Sequence, residues 1–308
     1  MENFTLTAEN LENPIRVDRF ISENSSVTRN RLKSDSCVIL VNGKPAKLSR
    51  SVTNGDVVEV SLPDMGKPMD IAPEKMDLDI IYEDSNVIVL NKAQGVVVHP
   101  AAGNFGGTLV NGLLHHAAEL EDEFEDETVR PGIVHRLDKD TSGVIIVAKN
   151  PETHEFLSGQ FRDKVTRKTY VAVVRGRLPK RHDLIETYIV RDRQNRKKFT
   201  VPGEGSEKGR FASTEYEVAE EFDKYTYCRL FPHTGRTHQL RVHMQHLNVP
   251  ILGDPVYSRK DSRFPDVTLM LHAYSLEIFI PGVEEKQVFT APVPERFTRL
   301  LEELRSGR

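Results

Sequence analysis

Nine consecutive residues, His135-Arg136-Leu137-Asp138-Lys139-Asp140-Thr141-Ser142-Gly143, hold the densest chemistry in the chain. An imidazole, two basic side chains and two carboxylates fall between His135 and Asp140. A carboxylate set among cations can act as a nucleophile or a base. A lone Arg-x-Asp usually does less. In an extended segment Arg136 and Asp138 share a face and form a surface ion pair worth roughly 0–1 kcal/mol. The flanks argue for more. Ile133 to Leu137 reads as the end of a strand and Val144 to Val147 as a buried strand. Thr141-Ser142-Gly143 between them reads as a tight turn, with Gly143 free to take positive φ. A charged loop between two apolar strands presents a reactive group on rigid backing.

Three other strings carry polar groups worth placing. Thr234-Gly235-Arg236-Thr237-His238-Gln239-Leu240-Arg241-Val242-His243-Met244 follows a strand read over Tyr225 to Phe231. If the string is helical, Leu240, Met244 and Leu247 form an apolar stripe and Arg236 sits in the first turn. His233, His238, His243 and His246 raise the alternative of a metal site, with His243 and His246 one turn apart. No acidic or thiol partner has ligand spacing, so no metal is expected. Lys168-Thr169-Tyr170 opens a strand running to Val174. A strand tyrosine is ordinarily core, with its hydroxyl bonded nearby. Lys92 ends the strand Val87 to Asn91 and leads into a turn at Gly95. Taken alone, it is an ordinary lysine at the end of a hairpin.

In order along the chain, these strings resemble the motifs of the RluA-type pseudouridine synthases. The family pattern H-R-L-D-x-x-T-S/T-G matches residues 135–143. G-R-T-H-Q-[IL]-R-V-H matches 235–243, and K-x-Y matches 168–170. Asn91-Lys92 and Gly95 match N-K-P-x-G, with Ala93 where the family has proline. The resemblance implies an α+β fold, with a mixed, largely antiparallel sheet and helices around a central cleft. It implies that uridine in RNA is isomerised to pseudouridine. The uracil leaves the ribose at N1 and rejoins it through C5. The target base must first be flipped from its stack.

In that scheme Asp138 is the nucleophile, open to attack at ribose C1′ or base C6 or to assistance at C2′. Tyr170 lies against the uracil and can take the C5 proton. Arg236 reaches back to keep Asp138 ionised, since a neighbouring guanidinium favours the charged form. Arg136 contacts RNA and fills the space the base leaves, and Lys92 contacts RNA or braces the site. No cofactor or metal is implied. The motif order points to the RluD-like, large-subunit rRNA branch. A synthase acting on tRNA would carry the same catalytic residues. A non-catalytic RNA-binding or ribosome-assembly factor could keep the same scaffold.

The rest of the chain must position these groups. Its 308 residues suit about two domains. Residues 14–62 resemble an S4 RNA-binding domain. A short helix begins at Arg16, and Thr28 is placed to cap a second helix carrying Arg29, Arg31 and Lys33. Cys37 to Val41 reads as a strand, turning at Asn42-Gly43 before Lys44. Arg29, Arg31, Lys33 and Lys44 are its expected RNA contacts. Residues 63–73, with three prolines, have linker composition, which leaves 74–308 as the catalytic domain.

The net charge of −4 argues against a nucleic-acid partner until its distribution is read. Seven acidic residues lie in 119–127, and the remainder is +3. From Gln160 to Arg210 there are fifteen Lys/Arg and six Asp/Glu. Such a basic block beside the catalytic loop suits RNA phosphates. No glycine-rich nucleotide-binding string follows a strand, which removes the commonest signatures of ATP- and NAD-dependent reactions. There is no apolar run of membrane-spanning length and no apolar leader in Met1 to Asn13, and the two cysteines are far apart. A cytoplasmic monomer whose partner is RNA is expected.

Overall fold

The computed structural model describes residues 2–25, 27, 32, 37–62, 71–100, 106–117, 120, 123–124, 131–192, 194–195, 197–203 and 205–307. They fall into two units, Met1–Asp70 and Ile71–Arg308.

The first unit contains β1 (Glu2–Thr7), β2 (Ile15–Arg16), α1 (Val17–Glu23), β3 (Val38–Val41), β4 (Lys44–Pro45), β5 (Ser51–Val52) and β6 (Val57–Leu62). Its larger sheet has the order β1-β6-β3-β4, and β2 pairs β5 separately. β6 alternates, sending Val58, Val60 and Leu62 into a core with Val17, Phe20, Ile21 and Val41. Asn42 and Gly43 both take positive φ, 54° and 72°. That is the backbone a two-residue hairpin needs, and it sets the β3–β4 register. Exposed Lys44 opens β4. β1 precedes residue 14, where the S4-like stretch was read to begin, yet it pairs along the whole of β6. Thr28, Arg29, Arg31 and Lys33 lie outside the described residues, as do residues 63–70 of the expected linker.

The second unit is α+β. Its strands are β7 (Ile80–Glu83), β8 (Val87–Lys92), β9 (Ser142–Ala148), β10 (Arg167–Arg175), β11 (His182–Arg191), β12 (Phe199–Thr200), β13 (Arg210–Glu221), β14 (Tyr225–Pro232), β15 (Leu271–Ile278) and β16 (Gln287–Thr290). Its helices are α2 (Leu109–His116), α3 (Pro151–Arg162), α4 (Gln239–His246) and α5 (Glu295–Ser306). One mixed sheet runs β12-β11-β13-β14-β10-β15-β9-β8-β7, with β16 added to β15. The β9–β15 pair is parallel and the other pairs are antiparallel.

Every residue of β9 is buried because both faces of the sheet are covered. Ile145 and Val147 pack with Leu109, Val110 and Leu113 of α2, and Val144 and Ile146 pack with Leu157 of α3 and Phe289. This two-sided cover explains the unbroken apolar run. On β10, Val171 to Val174 share a core with Leu240 and Met244 of α4 and with Phe297, Leu300 and Leu301 of α5.

Neighbouring strands bring the distant motifs together. Ala273 of β15 is opposite Gly143 on one side and Tyr170 on the other. Gly143 has φ +117°, and a Cβ there would lie 2.1 Å from the Ala273 carbonyl oxygen. Only glycine lets the loop before β9 enter the strand this close to β15. The expected strand end over Ile133 to Leu137 reduces to a single bridge, Ile133 to Val147. Beyond it a side chain replaces the ladder: His135 Nε2 accepts the Ile146 N–H at 3.0 Å.

Candidate active site

The loop between Ile133 and β9 turns back on itself where the Thr141 N–H donates to the Asp138 carbonyl at 3.1 Å. It is clasped by the turn after β8. The Gly95 N–H donates to the Lys139 carbonyl at 2.9 Å, and Gln94 Nε2 donates to the carbonyls of Asp140 at 2.8 Å and Leu269 at 3.0 Å. Lys92 completes the clasp. Its ammonium donates to the carbonyls of Ala93, Val96 and Lys139 at 2.8, 2.8 and 3.1 Å. Burial pulls its pKa down to about 8, against the opposing charges of Asp140 and Asp138. At 2% exposure and with three carbonyl acceptors, Lys92 braces the two turns, the second of the two roles left open in the sequence. The clasp forms with Ala93 in place of the family proline.

Asp138 faces a cleft of about 430 Å³, whose walls include Arg136, Tyr170, Arg236, His238 and Arg241. Arg241 is the arginine that touches the carboxylate: its Nη1 donates to Asp138 Oδ2 at 3.2 Å. Its other nitrogens grip Asp254, Nε to Oδ2 at 2.7 Å and Nη2 to Oδ1 at 2.9 Å. Asp254 Oδ1 also accepts the N–H groups of Val256 and Tyr257 at 2.8 and 2.9 Å. Side-chain exposures are 4% for Arg241, 0% for Asp254 and 21% for Asp138. The buried end of this ion-pair chain is fully bonded, and the open end is the partly exposed Asp138 carboxylate. Burial pulls the Arg241 guanidinium down, but the hydrogen bonds and charges of Asp254 and Asp138 outweigh it and raise its pKa. The guanidinium also lies 5.2 Å from the centre of the Tyr257 ring.

Arg236, expected to reach Asp138, lines the same cleft but makes no bond to the carboxylate among the described residues. Its Nε donates to the Phe211 carbonyl at 2.9 Å, and its backbone ties to the start of α4, the N–H donating to Gln239 Oε1 and the carbonyl accepting the Gln239 N–H, each at 3.0 Å. Gln239 Oε1 also accepts from Thr234 Oγ1 at 2.6 Å, while Gln239 Nε2 donates to the Ser213 carbonyl and Thr214 Oγ1, each at 2.9 Å. These bonds hold residues 234–238 as a turn, so α4 starts at Gln239 and not at Arg236. The arginine that reaches the carboxylate is then Arg241, in the first turn of the actual helix. In the sequence Arg241 is the second arginine of the same string, and no local feature distinguishes it from Arg236.

Tyr170 lines the cleft at the register set by Ala273. Its hydroxyl makes no hydrogen bond among the described residues. Burial first, and the charge of Asp138 second, push its pKa up. Arg136 is exposed at the mouth of the cleft, with no hydrogen bond or ion pair among the described residues. His135 stacks on Phe161 with ring centres 4.6 Å apart. Burial, with Lys168 nearby, lowers its pKa to about 3, so it is neutral and its Nε2 stays an acceptor. Three of the four histidines weighed for a metal have other partners: His233 faces Glu215 and His238 faces Tyr257, while the His243 ring contacts Thr187.

A mixed sheet with a buried arginine between two aspartates, one of them open to a cleft, defines a class, and comparison with known proteins agrees. The RNA pseudouridylate synthase family model matches residues 86–246. The "Ribosomal large subunit pseudouridine synthase D" of Borreliella burgdorferi is 46% identical over 296 residues, covering 94% of this chain and 90% of that one. An "Uncharacterized RNA pseudouridine synthase" of Bacillus subtilis is 39% identical over the full length of both chains. Among solved structures, "Human RNA Pseudouridylate Synthase Domain Containing 4" superposes with a TM-score of 0.58 at 25% identity, over 74% of this chain and 93% of that one. The chain belongs to the RNA pseudouridylate synthase family and is an RNA pseudouridine synthase.

Proposed function

We propose that the chain converts uridine to pseudouridine in large-subunit ribosomal RNA, with Asp138 as the nucleophile. The observation that carries this reading is the state of the Asp138 carboxylate. Oδ2 is tied to Arg241, whereas Oδ1 makes no hydrogen bond among the described residues and is available for reaction. The fixed guanidinium is already in place when charge shifts at the carboxylate. Tyr170 supplies a ring for the flipped uracil. As a neutral phenol it suits stacking first. A covalent bond at Asp138 would remove one of the two causes that hold its proton. The isomerisation breaks C1′–N1, forms C1′–C5, moves the C5 proton away and returns a proton to N1. Exposed Arg136, without an ion pair among the described residues, is placed to fill the vacated stack and meet phosphate.

The choice of ribosomal RNA rests on the relatives named for that substrate and on the S4-like reading of residues 14–62. That reading is supported by α1, by the Asn42-Gly43 hairpin and by the cationic residues Arg29, Arg31, Lys33 and Lys44. We place the catalytic domain at 74–308, after a linker at 63–73. No helix of the described residues is long and apolar enough to cross a membrane. Pseudouridine mapping of ribosomal and transfer RNA from cells lacking the protein tests this function. Loss of specific large-subunit sites is expected. Loss confined to transfer RNA would move the substrate, and no loss on any RNA would favour an assembly factor.

A further inference from the structure

His238 has a backbone conformation that L-residues rarely adopt, φ 57° and ψ 16°, at the cap of α4. Such an outlier beside a reactive group asks for a functional reason. The conformation suspends the imidazole between two groups of the site. Nδ1 lies 3.0 Å from the Tyr257 hydroxyl, and Nε2 lies 3.9 Å from Asp138 Oδ2. Edge contacts with Phe199 at 5.7 Å and Tyr257 at 5.6 Å hold the ring in place.

The bonds of the Tyr257 hydroxyl favour one tautomer. The Tyr257 hydroxyl oxygen already accepts the Phe199 N–H at 2.9 Å. Its single proton has one acceptor within reach among the described residues, His238 Nδ1. With that proton given to Nδ1, the neutral ring carries its hydrogen on Nε2, facing the carboxylate. Burial keeps the imidazole neutral by lowering its pKa, against the pull of Asp138.

We propose that His238, locked by Tyr257 as its Nε2–H tautomer, is a positioning residue for Asp138. The proposal rests on Asp138 being the nucleophile. Arg241 and His238 both address Oδ2, one as a charged donor and one as a neutral donor. Together they fix the rotation of the carboxylate and leave Oδ1 turned to the ribose or base. At 3.9 Å the imidazole contact is too long to be a hydrogen bond in the free protein. It closes when RNA fills the cleft, as catalytic contacts commonly do. Tyr257 thus joins the site through its hydroxyl as well as through its ring beneath Arg241.

Nitrogen-15 NMR of protein labelled at the imidazoles reads the tautomer directly. His238 should show protonated-type Nε2 and acceptor-type Nδ1, and Tyr257→Phe should abolish that preference. A protonated Nδ1 in the wild type would overturn the proposal. His238→Asn keeps a side chain that tolerates the left-handed backbone but cannot reach Asp138. It should melt no lower than wild type and lose about 10²-fold in kcat at unchanged KM. His238→Gln, long enough to set an amide N–H near the Nε2 position, should recover most of that loss. A merely structural histidine would lower the melting temperature and leave kcat alone, and that result would also overturn the proposal. If Asp138→Asn is inactive while His238→Asn turns over normally, this inference alone fails. If Asp138→Asn is active, the assignment of the nucleophile fails first.

Discussion

Replacing Arg241 by methionine separates its two duties. On the buried side, Asp254 keeps the Val256 and Tyr257 N–H donors but loses both guanidinium bonds while fully enclosed. Orphaning a buried carboxylate in this way costs about 3–5 kcal/mol. In a unit of this size each kcal/mol shifts the melting temperature by about 2–4 °C, so a fall of roughly 6–20 °C is expected. On the open side Asp138 is partly hydrated, so its loss falls on turnover, about 10²–10³-fold. Adding Asp254→Asn removes the stranded charge. It should restore about 2 kcal/mol of the stability and none of the rate. Urea denaturation and single-turnover pseudouridine formation, run on the wild type, both single variants and the double variant, read the two effects separately. A coupling between residues 241 and 254 below about 0.5 kcal/mol would refute the ion-pair chain. Recovery of rate along with stability would show that Arg241 acts through the fold alone. Arg236→Ala is the control and should leave both readouts close to wild type.

Three further expectations follow from the same geometry. Half-buried His135 and buried His243 and His272 are neutral, their pKa values lowered chiefly by loss of solvation to about 3, 4 and 4. The unfolded chain takes up their protons first, so stability should fall as pH drops from about 6.5 to about 4, by up to ~1.4 kcal/mol per pH unit for each proton. His135→Gln should flatten that slope in denaturation series, and an unchanged slope would count against a neutral His135. Gly143→Ala drives a methyl into the Ala273 carbonyl, so a loss of about 3 kcal/mol or more is expected by thermal melting; a stable variant would mean that the β9–β15 approach is looser than described. Residues 71–308 expressed alone should fold by circular dichroism and bind RNA more weakly, with a shallower salt dependence; an insoluble product would contradict the division into units.

Much of this was legible in the sequence where local chemistry governs. The unbroken apolar run after the catalytic loop marked a strand covered on both faces, and Asn42-Gly43 marked a hairpin. What was not legible depended on distant partners. The parallel pairing of β9 with β15 joins segments about 130 residues apart, and no local pattern carries it. The start of α4 depends on Gln239 reaching Ser213 and Thr214 across the sheet, so helical periodicity alone put Arg236 where Arg241 belongs. The sequence left Lys92 open between RNA contact and bracing because its three carbonyl acceptors come from the two loops it joins. His135 gave no sign that its ring would stand in for a strand.

The central claim is that Asp138 is the reacting carboxylate, and the rate of Asp138→Asn tests it most directly. Asparagine keeps the shape of the side chain and can still accept from Arg241, but it lacks the charge and the nucleophilic oxygen. Single-turnover formation of pseudouridine on large-subunit ribosomal RNA should fall by several orders of magnitude. RNA affinity should stay near wild type, because it comes from cations elsewhere. Asp140→Asn, at a variable position of the same loop, should keep most activity. Asp138→Asn turning over at the wild-type rate would contradict the account.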